Sequence, residues 1–185
     1  MQSQANIISR CKKQDRLAQK ALYEKYAPLF YSICKRYIKD STEAEDLLVE
    51  SFYKIFSKID QFKGEGSFEG WMKRIVINEA LMRIRKRHNL NLHVDLEKAY
   101  DLKEDAVAIE NLQYNEILSL IELLPNGYRT VFNLYVIEGY KHREIAEKLN
   151  ISINTSKSQL ILAKKKLREL YKKKHNHSGN LEDIG

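Results

Sequence analysis

The sequence predicts an all-α protein made of two small helical domains, and three observations support this fold class. Glycine and proline, which are typical of turns, are scarce, with 7 glycines and 2 prolines in 185 residues. Hydrophobic residues make up 43% of the chain and charged residues 31%, which leaves enough apolar material for packed cores. Apolar residues also recur at spacings of three and four, the period of a helix with one buried face.

The overall charge narrows the classes of partner. The formal net charge is +7 and the isoelectric point is about 9.2, so we expect a polyanion, with nucleic acid first and an anionic membrane surface second. The only cysteines are Cys11 and Cys34, in sequence rich in lysine and arginine, which is typical of reduced thiols rather than a secreted disulfide framework. No apolar run reaches signal-peptide or membrane-spanning length, so we expect a cytoplasmic protein without membrane insertion.

Residues 6–37 have the pattern of consecutive helices. Asp15 is placed to cap the second of them, because its short side chain can accept hydrogen bonds from the first free backbone amides. Pro28 lies inside the apolar pattern, so it marks either a kink or a break. The residues expected to recur on the apolar face are Leu17, Ala21, Leu22, Tyr26, Leu29, Phe30, Ile33 and Tyr37.

A third helix is predicted to begin near Thr42, since Thr42-x-x-Glu45 has the form of a capping box. Its apolar positions continue as far as Ile59. The opposite face carries several carboxylates, and no histidine or cysteine stands among them at ligand spacing. A solvated or protein-binding face is therefore favoured over a metal site or an acid–base pair.

The clearest loop in the chain is residues 61–66, with the sequence QFKGEG, and Ser67 is placed to cap the helix that follows. Residues 71–88 hold six basic side chains and one acidic side chain, a net charge of +5. Phe62, Phe68 and Trp71 stand beside these cations. This combination favours single-stranded nucleic acid, because aromatic rings stack on unpaired bases while cations follow the backbone. The alternative is that the rings are core residues and the cations are solvated.

The composition changes after residue 88. Residues 95–116 hold seven acidic and two basic side chains, a net charge of −5, and their apolar periodicity is weak as far as residue 105. We therefore interpret residues 89–107 as an acidic, flexible linker between two basic domains. Beyond it, residues 112–124 and 128–138 are predicted helices, and Pro125, Asn126 and Gly127 are expected to end the first.

Residues 141–170 have the pattern of a helix-turn-helix. Asn150 follows a short amphipathic helix and tolerates the left-handed backbone of a sharp turn. Ser152 or Asn154 can cap the second helix. The residues expected to be exposed at its start, where they can bond phosphates or base edges, are Asn154, Thr155, Ser156, Lys157, Ser158 and Gln159. Residues 141–174 carry a net charge of +8, and residues 175–185 are expected to form a flexible tail.

Four stretches of the chain carry a family resemblance. They are TEAEDLLVESFYKIF at residues 42–56, the pattern S-F-x-x-W-x-x-R-I-x-x-N within residues 62–88, LPNGYRTVFNLYVIEG at residues 124–139 and TSKSQLILAK at residues 155–164. In this order and spacing they resemble the extracytoplasmic-function (ECF) group of bacterial RNA polymerase sigma factors. They are similar, in turn, to the helix that binds the polymerase clamp helices, the promoter −10 helix with its preceding loop, the opening of the second conserved domain, and the −35 recognition helix.

The resemblance implies a protein without catalysis, cofactor or bound metal that joins core polymerase, recognises −10 and −35 promoter elements and promotes initiation. Residues 6–88 would be sigma region 2 and residues 108–174 sigma region 4, a layout that allows an anti-sigma factor to wedge between the two domains. The residues implied to contact polymerase are Asp46, Leu47, Glu50, Ser51 and Lys54. Those implied to contact single-stranded −10 DNA are Gln61, Phe62, Lys63, Gly64, Glu65, Gly66, Ser67, Trp71, Arg74, Asn78, Arg85, Lys86 and Arg87, of which the first seven form the loop that captures an extruded base. Those implied to contact duplex −35 DNA are Asn154, Thr155, Ser156, Lys157, Ser158, Gln159 and Ile161.

The recognition helix departs from the family pattern. Where the family commonly has Gly-Thr-Val-Lys-Ser-Arg, this chain has Asn-Thr-Ser-Lys-Ser-Gln at residues 154–159, and Leu162 stands where arginine is frequent. Asn150 replaces the usual glycine at the turn. Glutamine can bond adenine bidentately where arginine favours guanine, so the −35 sequence stays open. The Thr-Ser-Lys-Ser-Gln form resembles a variant common in Bacteroidota, which favours that source.

Other functions stay open on the residues alone. A helix-turn-helix repressor or activator would bind duplex DNA without polymerase, often as a symmetric dimer, but it leaves the loop at residues 61–66 and the aromatic-basic helix unexplained. A helical protein that binds RNA or a membrane surface leaves the turn residues within 141–159 unexplained. An enzyme is disfavoured, because no nucleophile, base or ligand set converges in the sequence.

Overall fold

The computed structural model describes residues 4–88 and 114–178. Within those two ranges the chain is helical with short turns and has no β-strand, and it divides after residue 87 into two compact units. The predicted all-α class is therefore confirmed. The predicted linker at residues 89–107 and residues 179–185 of the predicted tail lie outside the described residues, so the domain boundaries stay predictions.

The first unit has four helices in its described part. They are α1 (Gln4–Lys12), α2 (Arg16–Tyr37), α3 (Ser41–Ser57) and α4 (Phe68–His88). A short 3-10 turn (Ile59–Gln61) follows α3. α2 packs against both α1 and α3, and the 3-10 turn lies against α1. This packing brings the amino-terminal helix close to the segment that leads into α4.

The corner between α1 and α2 is held by Asp15. Its carboxylate accepts hydrogen bonds from the backbone amides of Leu17 (2.9 Å) and Ala18 (3.2 Å), so the predicted cap is confirmed. The guanidinium of Arg10 lies 2.8 Å from the same carboxylate. The hydrogen bond that Arg10 donates, and then the one from the amide of Ala18, hold the pKa of Asp15 below its usual range. Gln14 makes the turn itself with a φ of 60°.

The predicted capping box of the third helix is wrong. α3 begins at Ser41, and Asp40 is its cap, because the Asp40 carboxylate accepts a 2.9 Å hydrogen bond from the amide of Glu43. Thr42 therefore lies inside the first turn, and Glu45 is exposed on the helix surface. A carboxylate at this end of a helix also interacts favourably with the helix dipole.

Pro28 does not break α2, which runs without interruption from residue 16 to residue 37. Proline removes one backbone hydrogen bond from a helix, but the buried side chains of Tyr26 and Phe30 hold α2 in place on both sides of it. Leu17 and Leu29, both predicted on the apolar face, are instead 72% and 43% exposed. The buried stripe of α2 is thus narrower than the predicted one.

Aromatic rings fill the core between α2 and α3. The ring of Phe52 lies 4.6 Å from that of Tyr23 and 5.7 Å from that of Phe30, measured between centroids. Cys11 and Cys34 are buried and free, as predicted for reduced thiols. Burial raises the pKa of the Cys34 thiol to about 12. That thiol is therefore protonated at neutral pH and behaves as an apolar core group.

The second unit is organised around its last helix. Its described elements are α5 (Tyr114–Glu122), α6 (Asn126–Phe132), a π-helical turn (Asn133–Ile137), α7 (His142–Leu149) and α8 (Ile153–Ser178). α8 packs against α5, α6 and α7. The buried residues of α8 include Leu160, Ala163 and Leu167, the three predicted to face inward.

α6 begins at Asn126, two residues earlier than predicted. Pro125 stands before it in an extended conformation, and Gly127 lies inside the first turn rather than in a connecting turn. A Cβ at residue 127 would lie 2.9 Å from the Oε1 atom of Gln159 in α8. Gly127 therefore lies where two helices approach closely, and a Cβ there would displace the flexible end of Gln159. A turn signal in the sequence does not distinguish this role of glycine from a role in a connecting turn.

α8 continues through Ser178, so the first four residues of the predicted tail, 175–178, are helical. This part of α8 contacts α5. The Glu116 carboxylate lies 2.9 Å from Nε2 of His175 and 3.2 Å from Nζ of Lys174. These ion pairs tie the last turns of α8 to α5.

Acidification is expected to remove this tie. The hydrogen bond from Lys174, and then that from His175, hold the pKa of Glu116 below its usual 4.5. The contribution of the tie to stability is therefore complete above 4.5 and is lost as the pH falls through the lower, folded-state pKa. We expect Glu116→Gln to lower the melting temperature at neutral pH and to lower it less at a pH well below 4.5. Glu65→Gln, at an exposed loop carboxylate, is the control, and a Glu116→Gln effect of equal size at both pH values would contradict the prediction.

Candidate nucleic-acid interfaces

The loop between the 3-10 turn and α4 is shaped by two glycines. Gly64 and Gly66 have φ values of 84° and 73°, a left-handed conformation that residues with a Cβ rarely adopt. The hydroxyl of Ser67 accepts a 3.2 Å hydrogen bond from the amide of Gly70, so its predicted capping role is confirmed. The exposed residues of the loop, which a ligand can reach, are Gln61, Lys63, Gly64, Glu65, Gly66 and Ser67.

Phe62, predicted to contact DNA within this loop, is buried instead, with 8% of its surface exposed. Its ring lies 5.0 Å from that of Phe68 and 5.7 Å from that of Trp71. Since it fills an aromatic cluster, Phe62 cannot also stack on a base, and its role is to anchor the loop to α4. Trp71 stacks on Phe68 at 5.6 Å with 14° between the rings, yet it is only half-buried. It therefore combines packing with access to solvent.

α4 presents one continuous face beyond Trp71. Arg74 and Asn78 follow at intervals of three and four residues and are exposed, so they lie on the same side of the helix. Arg85 and Lys86 extend this side by two further turns and are also exposed. The structure thus brings together the predicted −10 residues of α4 up to residue 86. The side chain of Arg87 lies outside the described part of the chain, and its role stays a prediction.

Arg83 of α4 is engaged within the unit. Its guanidinium lies 2.8 Å from the Glu50 carboxylate and donates a 2.7 Å hydrogen bond to the carbonyl of Glu43. Lys54 of α3 forms an ion pair with Glu79 of α4. Both bridges hold α3 against α4, which carry the two faces predicted to bind polymerase and DNA.

The face of α3 predicted to bind polymerase needs correction. Asp46 and Glu50 are exposed, but Leu47 and Ser51 are completely buried. The hydroxyl of Ser51 donates a 2.7 Å hydrogen bond to the carbonyl of Leu47 within the helix. Neither residue can reach a partner from this position, because both belong to the inner face of α3.

Two exposed apolar residues of α3 were missed by the sequence prediction. Val49 is 60% exposed and Tyr53 is 74% exposed, and they stand three and seven residues after Asp46 on the same side of the helix. Apolar side chains so open to solvent commonly mark a protein-binding site when charged groups surround them. The helical period counted from Asp46 was the signal that could have identified them.

The helix-turn-helix is confirmed in its geometry. Asn150 has φ 55° and ψ 49°, the left-handed conformation expected of it, and it ends α7. The amide of Ile151 then donates a 3.1 Å hydrogen bond to the carbonyl of Ala146. Ser152 is the cap of α8, since its hydroxyl accepts a 2.9 Å hydrogen bond from the amide of Thr155. Asn154, the other candidate cap, lies inside the first turn and is exposed.

Two residues predicted to face −35 DNA point into the unit instead. Ser156 is completely buried, and its hydroxyl lies 2.9 Å from Nδ1 of His142 in α7. Gln159 is 7% exposed and approaches Gly127 of α6. Ala163, which is completely buried, stands seven residues after Ser156 and four residues after Gln159, so all three lie on the inner side of α8. The burial of Gln159 does not fit a contact with adenine, and the −35 sequence stays open.

Four of the five remaining predicted −35 residues share the outer side of α8, and Thr155 stands beside that side. Asn154 and Lys157 are exposed, and Thr155, Ser158 and Ile161 are half-exposed. Residues 157, 158, 161 and 165 stand three, four, seven and eleven positions after Asn154, so they fall on the same side of the helix as Asn154. The interval of eleven reaches Lys165, an exposed cation that the sequence prediction did not include.

Metal-binding clusters and membrane-spanning helices are both absent from residues 4–88 and 114–178. No group of three or more histidine, cysteine, aspartate or glutamate side chains in those ranges is placed to hold a metal ion. Among the same residues, no helix combines the length and the apolar character needed to cross a membrane.

Comparison with known proteins identifies both units. Residues 22–89 match the family "Sigma-70 region 2", and residues 114–167 match "Sigma-70, region 4". The ECF RNA polymerase sigma factor SigW of Bacillus subtilis (strain 168) is 31% identical over 175 residues, which cover 88% of this chain and 93% of that protein. The ECF RNA polymerase sigma-E factor of Escherichia coli (strain K12) is 26% identical over 85% of this chain and 88% of that protein.

The chain is also similar to a solved structure, that of the sigma factor RpoE in complex with the anti-sigma factor NepR from Bartonella quintana. The identity is 23%, the match covers 83% of this chain and 96% of that chain, and the TM-score is 0.49. The resemblance to a Bacteroidota variant is not tested by these relatives and stays a prediction. With 31% identity to a relative that it spans almost completely, and with regions 2 and 4 in order, the chain belongs to the ECF sigma factors of bacterial RNA polymerase.

Proposed function

We propose that this chain brings core polymerase to promoters and stabilises the opened DNA, using a separate surface for each task. The observation that carries the proposal is the exposed face of α4, where a half-buried indole is followed by cations along the helix. Such a face suits single-stranded DNA, because a base can stack on the indole while the phosphates lie against the cations. A repressor that binds only duplex DNA has no need of it.

The non-template −10 strand is proposed to run along α4. Trp71 offers a surface for stacking, Arg74 and Asn78 provide the next contacts, and the basic end of the helix neutralises phosphates. The exposed residues of the loop at 61–67 receive an extruded base. Extruding a base costs a few kcal/mol of lost stacking, which stacking on an aromatic ring, at roughly 1–3 kcal/mol per base, offsets.

Polymerase is proposed to bind the outer face of α3. Val49 and Tyr53 supply apolar area, and Asp46 and Glu50 supply negative charge beside it. Tyrosine is enriched among the residues that contribute most to protein interfaces. A partner with an apolar groove and flanking cations fits this surface.

The outer side of α8 is proposed to bind in the major groove of duplex −35 DNA. Lys157 and Lys165 meet phosphates, while Asn154, Ser158 and Ile161 reach base edges or the thymine methyl group. The uncommon residue at position 159 does not determine specificity in this proposal, because its side chain lies inside the unit.

We further propose that the chain acts by binding alone, with no reaction or cofactor of its own, and that it works in the cytoplasm, where polymerase meets DNA. An anti-sigma factor that covers the outer face of α3 or of α8 would keep it inactive. Both surfaces are open in the described chain.

The decisive experiment is transcription in vitro with purified protein and core polymerase on a promoter mapped from transcript start sites. We expect initiation only when both are present. If the chain instead bound promoter DNA tightly as a dimer without polymerase, and never supported initiation, the repressor or activator alternative would replace this proposal.

The −35 assignment has its own test. Lys157→Ala is expected to weaken binding of the complete holoenzyme to promoter DNA severalfold and to reduce the slope of log affinity against log salt by about 0.9, since one phosphate contact is lost. Ser156→Ala, one residue away but buried, should leave that slope unchanged and lower the free energy of unfolding by about 0.5–1.5 kcal/mol, because it loses the bond to His142. Equal salt slopes for the two variants would contradict the assignment.

A further inference from the structure

An open cavity of about 590 Å³ lies between α1 and the loop that precedes α4. Five of its lining residues belong to α1, and the other six belong to residues 62–68. Its volume is within the range of sites that hold small organic ligands, about 300–1,000 Å³. The loop proposed to receive an extruded base is therefore only half of a concave site, and α1 forms the opposite wall.

The lining has the chemistry that a nucleobase requires. Ala5 and Ile8 of α1 offer apolar surface to the face of a ring, while the exposed hydroxyl of Ser9 can donate or accept a hydrogen bond at its edge. On the loop side, Gly64 and Gly66 have no side chains, so a flat ring can approach the backbone closely. Apolar walls with a few polar groups at the rim are typical of pockets for extruded bases.

Lys12 connects the two walls. Its ammonium group donates a 3.0 Å hydrogen bond to the carbonyl of Phe62, 50 residues further along the chain. Phe62 in turn is anchored in the aromatic cluster with Trp71. The Asp15 corner fixes the other end of α1. The distance between α1 and the loop is thus set by the fold before any DNA binds.

We infer that α1 forms one wall of the pocket for the extruded −10 base, with Ser9 as a group that reads the edge of that base and Lys12 as a positioning residue. This inference rests on the proposed function, which assigns the loop to the −10 strand, and adds α1 as a determinant of which base is accepted. It also assigns a role to a helix that precedes the matched sigma-70 region 2, which begins at residue 22.

The test uses the complete holoenzyme and a forked promoter DNA whose −10 non-template strand is single-stranded. Each base of that strand is replaced in turn by an abasic site and by the other three bases, and affinity is measured by fluorescence anisotropy. We expect one position at which the abasic site weakens binding about tenfold or more. At that position Ser9→Ala should change the ranking of the four bases by about threefold to tenfold and leave binding of the abasic DNA unchanged.

Matched variants separate reading from general effects. Ser32→Ala removes an exposed hydroxyl from α2, outside the cavity, and should leave the ranking of bases unchanged. Lys12→Met should weaken binding of base-containing DNA more than Lys13→Met, which removes the same charge next to the cavity, and Lys12→Arg should restore it. If Ser9→Ala and Lys12→Met weakened base-containing and abasic DNA equally, the inference would be overturned while the proposed function stood. If no abasic site at any position mattered, the proposed function itself would fail.

Discussion

Replacing Trp71 with alanine is expected to reduce promoter opening by about tenfold to a hundredfold while polymerase binding changes less than about twofold. The loss follows from removing the indole on which a −10 base is proposed to stack, a contact worth roughly 1–3 kcal/mol. Polymerase binding is spared because the outer face of α3 lies on a different helix. Opening is measured by permanganate reactivity of unpaired thymines, and binding by titration of labelled protein with core polymerase.

Trp71→Ala removes a packing contact as well as the proposed DNA contact, because Trp71 also stacks on Phe68. Further variants are needed to separate the two effects. Trp71→Phe keeps an aromatic ring in the cluster and should retain most of the stability and part of the opening activity. Asn78→Ala, at an exposed position, should impair opening while lowering the melting temperature less than Trp71→Ala does. Equal losses of polymerase binding and opening in Trp71→Ala would show that the indole is structural only.

Leu47→Ala is expected to lower the free energy of unfolding by about 2–5 kcal/mol, the usual cost of a cavity at a fully buried leucine. Tyr53→Ala, on the opposite side of α3, should change it by less than about 0.5 kcal/mol, because 74% of the tyrosine is exposed. For polymerase binding the ranking should be reversed, with the larger loss of affinity in Tyr53→Ala. Tyr53→Ala weakens it directly, and Leu47→Ala does so only through the unfolded fraction.

Denaturant unfolding gives the two stabilities, and titration with core polymerase well below the transition temperature of Leu47→Ala gives the two affinities. Ser57→Ala, which removes an exposed hydroxyl near the end of α3, is the control for both. A large loss of affinity in fully folded Leu47→Ala, with no loss in Tyr53→Ala, would contradict this prediction. It would support the polymerase contact that the family resemblance implied for Leu47.

Local sequence signals located most of the fold. The period of apolar residues gave the all-α class, and the short polar side chains of Asp15 and Ser67 gave two helix starts, because a cap is read from one residue and its neighbours. Thr42 failed as a cap because Asp40, two residues earlier, competes for the same role. Pro28 could not be assigned as kink or break, since the outcome depends on burial on both sides of it, which is a tertiary property.

The candidate site was predicted less well than the fold, and for one physical reason. Ser51, Ser156 and Gln159 were selected because they stand in stretches that resemble binding motifs, and every third or fourth residue of such a stretch must face the core. The helical period counted from Ala163, which was predicted to face inward, would have placed Ser156 and Gln159 inside. The cavity beside α1 had no sequence signal, because it depends on a contact between Lys12 and Phe62 across 50 residues.

The close approach of α6 and α8 also constrains how this chain can change over generations. A methyl group added at Gly127 would meet the end of Gln159, and an arginine at residue 159, as the family commonly has, would need still more room in a site that is 7% exposed. The two positions are therefore coupled: alanine at residue 127 requires that the flexible end of Gln159 moves or that residue 159 is shorter. Under the proposed −35 assignment, residues 154, 157, 158 and 161 can be exchanged one at a time to vary promoter preference, while a bulkier side chain at residue 159 must fit the space beside residue 127.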